Sequence, residues 1–192
     1  ESFISSGYDI KQTLRTLFLS DFFADEAIRF AKVKSPIELV AGTMRLVGDH
    51  ISPQPNMALI AHEPGYMGQD LLNPPSVEGW HTGLEWIDSG SLLRRINFVA
   101  DRLGNEEFPG VHELIDRICL HRNLNETQLL DECLDLLGPL ILTPETREEL
   151  IDHFRDLEPL GNDATSIETL RYRKQICELL QLIAASREYQ FC

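Results

Sequence analysis

Seven side chains between residues 69 and 88 carry most of the chemistry that this sequence offers. Trp80 and Trp86, the two tryptophans of the chain, stand six apart among Gln69, Asn73, Glu78, Glu85 and Asp88. Indole rings cover the apolar C–H faces of sugars while amides and carboxylates take the hydroxyls, so the set has the composition of a carbohydrate-binding platform. The competing reading packs both indoles into the core and spends the polar groups on loop backbone, as a buried irregular segment requires. Glu78, Glu85 and Asp88 are also the carboxyls that could act as acid and base in glycoside hydrolysis, which sets two of them across the bond. Against 31 acidic residues in the chain, three within eleven positions carry little weight.

Other chemistries find no pattern. His112 and Asp116 lie one helical turn apart with Glu113 between them, but the zinc signature H-E-x-x-H is absent. His62-Glu63 is cut short by Pro64-Gly65. The stretch 156–168 has calcium-loop composition, yet Leu160 and Ile167 occupy ligand positions. There is no G-x-S-x-G, P-loop or G-x-G-x-x-G motif, and Ser89-Gly90-Ser91 reads as helix capping. The expectation is therefore no assignable catalytic residue, no metal and no cofactor. Cys119, Cys133, Cys177 and Cys192 form no C-x-x-C pair; Cys119 and Cys133 fall on apolar helical stripes, as small buried hydrophobes do.

The elements that must position the tryptophans read as helices around one irregular stretch. In MGQDLLNPPSVEGWHTGLEW (67–86), Pro74 and Pro75 remove two donors and push Asn73 toward extended backbone. Asp9 caps a helix with Ile10, Leu14, Leu17 and Phe18 on one stripe. Ser20-Asp21 restarts the chain, and Ser35-Pro36-Ile37-Glu38 is a capping box with proline at the first helical position, stopped at Gly48. A short helix from Asn56 to Ala61 precedes the irregular segment. Asp88 or Ser89 opens a helix to Leu103, Pro109-Gly110 opens another to His121, and Asn125 caps one over Leu129–Leu137, ended by Gly138-Pro139. Thr143-Pro144 opens a helix to Leu157, and the capping box Thr165–Glu168 leads into the longest, to about Ala185. No segment alternates as a strand. The fold expected is all-α, an irregular array of about eight or nine helices. A shift in charge at GNEEFP (104–109) divides it into a region 1–104 holding the Trp segment and an acidic region 105–192, expected to pack together as one unit.

Net charge is −14, with 12 acidic and 8 basic residues in 1–100 and 19 and 9 in 101–192. Such a field repels nucleic acid and anionic membrane surfaces, so neither is expected as a partner. No apolar run spans a bilayer, and Glu1–Leu19 lacks the pattern of a signal peptide. Beginning at Glu1 and entering a helix at once, the chain reads as a piece of a longer protein, with its N-terminal remainder as first partner.

Three stretches together, SGYDIKQTLRTLFLSDFF, KSPIELVAGTMRLVG and MGQDLLNPPSVEGWHTGLEWIDSGSLLRR, resemble the C-terminal part of the bacterial "domain of unknown function 1800" family. The resemblance covers residues 3–100 well, and the tail IAASREYQ is similar to the family's closing segment. It rests on Gly68-Gln69, Pro74-Pro75, Gly79-Trp80, Gly83 and Trp86; His81 stands where members usually have proline. The resemblance implies an exported, cell-envelope or extracellular setting and carries no activity. The function expected is a non-catalytic helical binding or assembly module, with a carbohydrate or an envelope protein as partner. The alternative is a hydrolase acting on envelope or extracellular polysaccharide through Glu78, Glu85 or Asp88.

Overall fold

Side-chain caps set where the helices begin. The computed structural model describes residues 1–192 except Arg29, Pro53, Gln54, Asn56, Pro139, Asp156 and Leu157. Its helices, in order, are α1 (Ser2–Ser5), α2 (Ile10–Phe18), α3 (Asp21–Ala24), α4 (Pro36–Val47), α5 (Met57–Ile60) and α6 (Glu63–Tyr66). After the irregular segment come α7 (Ser89–Leu103), α8 (Pro109–Leu120), α9 (Glu126–Leu137), α10 (Pro144–His153) and α11 (Ser166–Ala185). Single 3₁₀ turns occupy Glu26–Ile28, Gly83–Trp86 and Glu188–Gln190. The chain is all-α, and among the described residues extended pairing is limited to the isolated bridges Val33–Phe191 and Ser76–Gly79.

The caps match the sequence in chemistry. Asp9, Ser20, Ser35, Asp88, Asn125, Thr143 and Thr165 each accept a backbone N–H from the first turn of their helix. Gly48 ends α4 at φ 74°, a left-handed angle that glycine adopts without a Cβ clash. The expected helix start at Asn56, the stop at Pro139 and the head of the calcium-like stretch at Asp156 lie outside the described residues; the helix expected to reach Leu157 ends earlier, at His153, with Phe154 as its C-cap. After the restart at Ser20-Asp21, Phe22 lies on the short α3 and Ile28 on a 3₁₀ turn.

One apolar cluster runs across both halves of the chain. Leu39 and Val47 of α4, Phe98 and Leu103 of α7, Ile115 and Ile118 of α8, Leu129 of α9 and Ile176, Leu180 and Ile183 of α11 are all within it. α11 lies along α7, and α4 packs on both α7 and α8. The α4–α8 approach depends on Gly110, where a Cβ would stand 2.1 Å from the Leu46 carbonyl oxygen. Cys133 is fully buried in the cluster and Cys119 packs at its edge; all four cysteines are free thiols.

The first 28 residues stand apart from this core. α2 carries its stripe as read, but Ile10, Leu14, Leu17 and Phe18 are exposed, together with Phe3, Tyr8, Phe22 and Phe23. No residue of α1, α2 or α3 is buried. An amphipathic stripe shows which face a helix can bury; it does not supply the surface that covers it.

Candidate functional site

Residues 67–88 fold into a loop clamped at both ends. On the entry side, Arg94 of α7 grips Glu63 with two bonds, Nε to Oε2 at 2.9 Å and Nη2 to Oε1 at 2.7 Å. Such a two-pronged pair fixes orientation as well as distance. The Gln69 N–H donates to the Pro64 carbonyl at 2.7 Å, turning the chain back at the end of α6. On the exit side, Asp88 caps α7 through Oδ1, accepting from Gly90 N at 2.8 Å and Ser91 N at 2.9 Å. Ser91 Oγ returns a bond to the Trp86 carbonyl at 2.9 Å.

The two indoles part company. Trp86 is 5% exposed and its ring lies near Gly68, whose φ of 96° falls in the left-handed region that favours glycine. Trp80 is only half-buried, and its Nε1–H donates to the Asp70 backbone oxygen at 3.0 Å. Trp80 lines two adjoining clefts. The first, of about 330 Å³, is walled by Lys32, Ser35 and Glu38 on one side and by Gln69, Thr82 and Trp86 on the other. The second, of about 400 Å³, is walled by Asp70, Asn73, Pro74 and Pro75 with Gly65 and Gly68. Each falls in the size range of small-molecule sites. A roomier recess of about 640 Å³ lies near Asp49, Ile60, Arg102 and Phe108, without a tryptophan.

Gln69 is the most committed polar side chain of the set. It is 9% exposed, and its Oε1 accepts the Ile37 N–H at 2.9 Å, in the first turn of α4. Its amide nitrogen has no hydrogen-bond partner among the described residues. Asn73 is exposed and donates from Nδ2 to Asp70 Oδ2 at 2.9 Å, which shapes the second cleft. Gln69 thus shares the first cleft with Trp80, and Asn73 the second.

The three carboxyls do not converge. Asp88 spends its carboxylate on the α7 cap, and the N–H groups of Ser91 and Gly90 hold it below the usual range for an aspartate. Glu85 closes a capping box with the Thr82 N–H at 3.3 Å and pairs with His81 Nδ1 at 3.3 Å. Glu78 is exposed on a turn with Ser76. None of the three lines either cleft.

The opposite wall is built by residues 32–38, of which the sequence shows only the capping box of α4. There Lys32 Nζ bonds Glu38, and Glu38 Oε2 accepts the Ser35 N–H at 2.8 Å. Lys32 and Ser35 hold the Glu38 carboxyl below its ordinary range, and Glu38 holds the Lys32 ammonium above its own. The motif was visible as the capping box of α4, which gave Glu38 a structural reason and hid its place in a cleft wall. Elsewhere, His112 joins Glu106, Asp116 and Arg173 in an ion network, with Arg173 Nη1 on Asp116 at 2.6 Å. Among the described residues no group of three or more His, Cys, Asp or Glu side chains is arranged to hold a metal, and no helix is long and apolar enough to cross a membrane.

A family model described as "Protein of unknown function (DUF1800)" matches residues 1–191, well past the 3–100 stretch that carries the clearest motifs. No curated protein and no solved structure matches the chain.

Proposed function

We propose a role for this chain, which belongs to the DUF1800 family of proteins of unknown function, as a non-catalytic binding module whose Trp80 clefts take uncharged carbohydrate. The observation that carries the reading is Trp80 itself, a half-exposed indole anchored at Asp70 and shared by two clefts, beside an amide nitrogen of Gln69 without a partner. A fixed aromatic surface next to a spare donor suits the mixed face of a pyranose ring. Charge favours a neutral ligand. In the first cleft Lys32 is compensated by Glu38 and His81 pairs with Glu85; in the second, the Asp70 carboxylate is held by the neutral Asn73 amide, which disfavours an anion and leaves an acceptor for hydroxyls. By the family resemblance, the carbohydrate belongs to a bacterial envelope or extracellular setting, and the exposed apolar α1–α3 region supplies an assembly surface toward the rest of a parent protein.

The hydrolase alternative draws on the same clefts but needs two carboxyls across a bond. Asp88 is consumed as a cap, and Glu78 and Glu85 stand outside the clefts. A glycan array probed with the protein, followed by product analysis of each binding glycan, tests the proposal. Retention of neutral oligosaccharides without cleavage is expected. Release of shortened products would replace the module with an enzyme, and no retention at all would sink both readings.

A further inference from the structure

Arg95, on α7, is fully buried, and among the described residues no carboxylate pairs with it. Its Nε donates to Gln190 Oε1 at 2.9 Å and its Nη2 to the Lys34 carbonyl at 2.7 Å. Nη1 is buried with no hydrogen-bond partner among the described residues. A cation in that position costs free energy that a leucine would not. Its geometry gives a reason for keeping it, because one rigid guanidinium fork spans two chain segments far apart in sequence.

Those segments lie side by side. Cys192 N donates to the Lys32 carbonyl at 2.8 Å, Lys32 N to Cys192 O at 3.3 Å and Lys34 N to Gln190 O at 2.9 Å, around the Val33–Phe191 bridge. Lys34 Nζ adds a bond to the Tyr189 carbonyl at 2.7 Å and lies 4.2 Å from the centre of the Tyr189 ring. Gln190 Nε2 ties the strap back to α11 at Ala184. Lys32, Val33 and Ser35 are wall residues of the first Trp80 cleft, so residues 190–192 brace that wall from behind.

We propose that Arg95 is a positioning residue for the Trp80 cleft, clamping residues 189–192 onto residues 32–34 and thereby fixing the wall that faces Trp80. The inference rests on the cleft being the binding site. Loosening the clamp frees Lys32 and Ser35 to move relative to Trp80, which widens the cleft without touching the indole, its anchor at Asp70 or Gln69.

The test uses the full chain carrying Trp86→Phe, so that Trp80 is the only indole. Arg95→Lys keeps the charge and loses the fork; Gln190→Leu removes the other end of the clamp and serves if the first variant does not fold. Amide exchange at Lys32, Lys34 and Cys192 is expected to rise at least tenfold in either variant. Quenching of Trp80 by acrylamide is expected to rise about twofold, with a single cooperative melt retained. Faster exchange with unchanged quenching overturns the proposal, because the strap then bears on nothing in the cleft. Unchanged exchange overturns it too, and so does loss of cooperative folding in both variants. None of these readouts needs a bound sugar, so failure of the clamp is distinct from failure of the carbohydrate reading, which the array alone decides.

Discussion

The Trp80 indole donates its Nε1–H to the backbone oxygen of Asp70 at 3.0 Å, across ten residues of irregular chain. Asp70 in turn accepts at Oδ2 from Asn73, so loop and ring are set by one small network. A side chain already held in its working orientation loses little freedom on binding, which favours affinity.

Trp80→Ala should therefore weaken oligosaccharide binding by about 30-fold or more, the scale of about 2 kcal/mol expected of an aromatic hot spot. Trp80→Phe keeps a ring but not the anchor and should fall between the two. Calorimetric titration against an array-positive neutral oligosaccharide measures both. The control is Leu129→Ala, which empties a core position that lines neither cleft and should lower stability by about 2–5 kcal/mol; equal binding losses in folded Trp80→Ala and Leu129→Ala proteins would remove the special role of Trp80.

Acid should release the N-termini of α7 and α11. Ser91 and Gly90 N–H groups lower the Asp88 carboxyl, and Thr165 lowers that of Glu168. Each folded-state value lies below its unfolded value. Their stabilisation is thus present above the unfolded carboxylate range, near pH 4, and is lost as pH falls through the folded values. Asp88→Asn still caps but does not titrate, so it should shift part of the acid unfolding transition to lower pH. Circular dichroism against pH reads the shift; superimposable acid transitions would remove Asp88 from the account.

Local chemistry was the legible part of this fold. Ser35, Asn125 and Thr165 cap because a short oxygen side chain at that spacing reaches an orphan N–H, and no distant residue is needed. The two tryptophans were legible as a pair but not as opposites. Trp86 is buried where its ring meets Gly68, a contact across eighteen residues that spacing alone does not encode. Glu38 and Arg95 were hidden for the same reason. Glu38 has a complete local role as a cap partner, and Arg95 looks like one more charge on a helix until the strand-like tail reaches it.

The apolar stripe of α2 should behave as exposed surface. With Ile10, Leu14, Leu17 and Phe18 uncovered, α1–α3 have little to hold them closed. Their amides should exchange near the unstructured rate while those of α7 and α11 stay protected. Deleting residues 1–28 should leave the melting temperature of the remainder nearly unchanged and reduce binding of a hydrophobic dye. A large fall in melting temperature would show that this region packs on the core after all.

The contact between α4 and α8 should tolerate nothing larger than glycine at position 110. A Cβ there would meet the Leu46 carbonyl oxygen at 2.1 Å and the Val47 carbonyl carbon at 2.7 Å, both backbone atoms in the last turn of α4. Relief requires the two helices to separate, and Val111 and Ile115 would be drawn away from Val47 and the rest of the cluster. Forcing atoms into a packed contact costs about 1–3 kcal/mol, and a main-chain clash belongs at the upper end or beyond. Gly104→Ala is the instructive partner. Its Cβ would meet Gln181 Nε2 at 2.0 Å, the end of a flexible side chain, which can swing aside at the loss of its bond to the Ala100 carbonyl. A lost hydrogen bond costs about 1 kcal/mol. Chemical denaturation should therefore rank Gly110→Ala as clearly more damaging than Gly104→Ala, although the closest approach is nearly the same. The reverse order would mean that the α4–α8 contact can slide, and that the two halves of the chain are joined chiefly through α7 and α11.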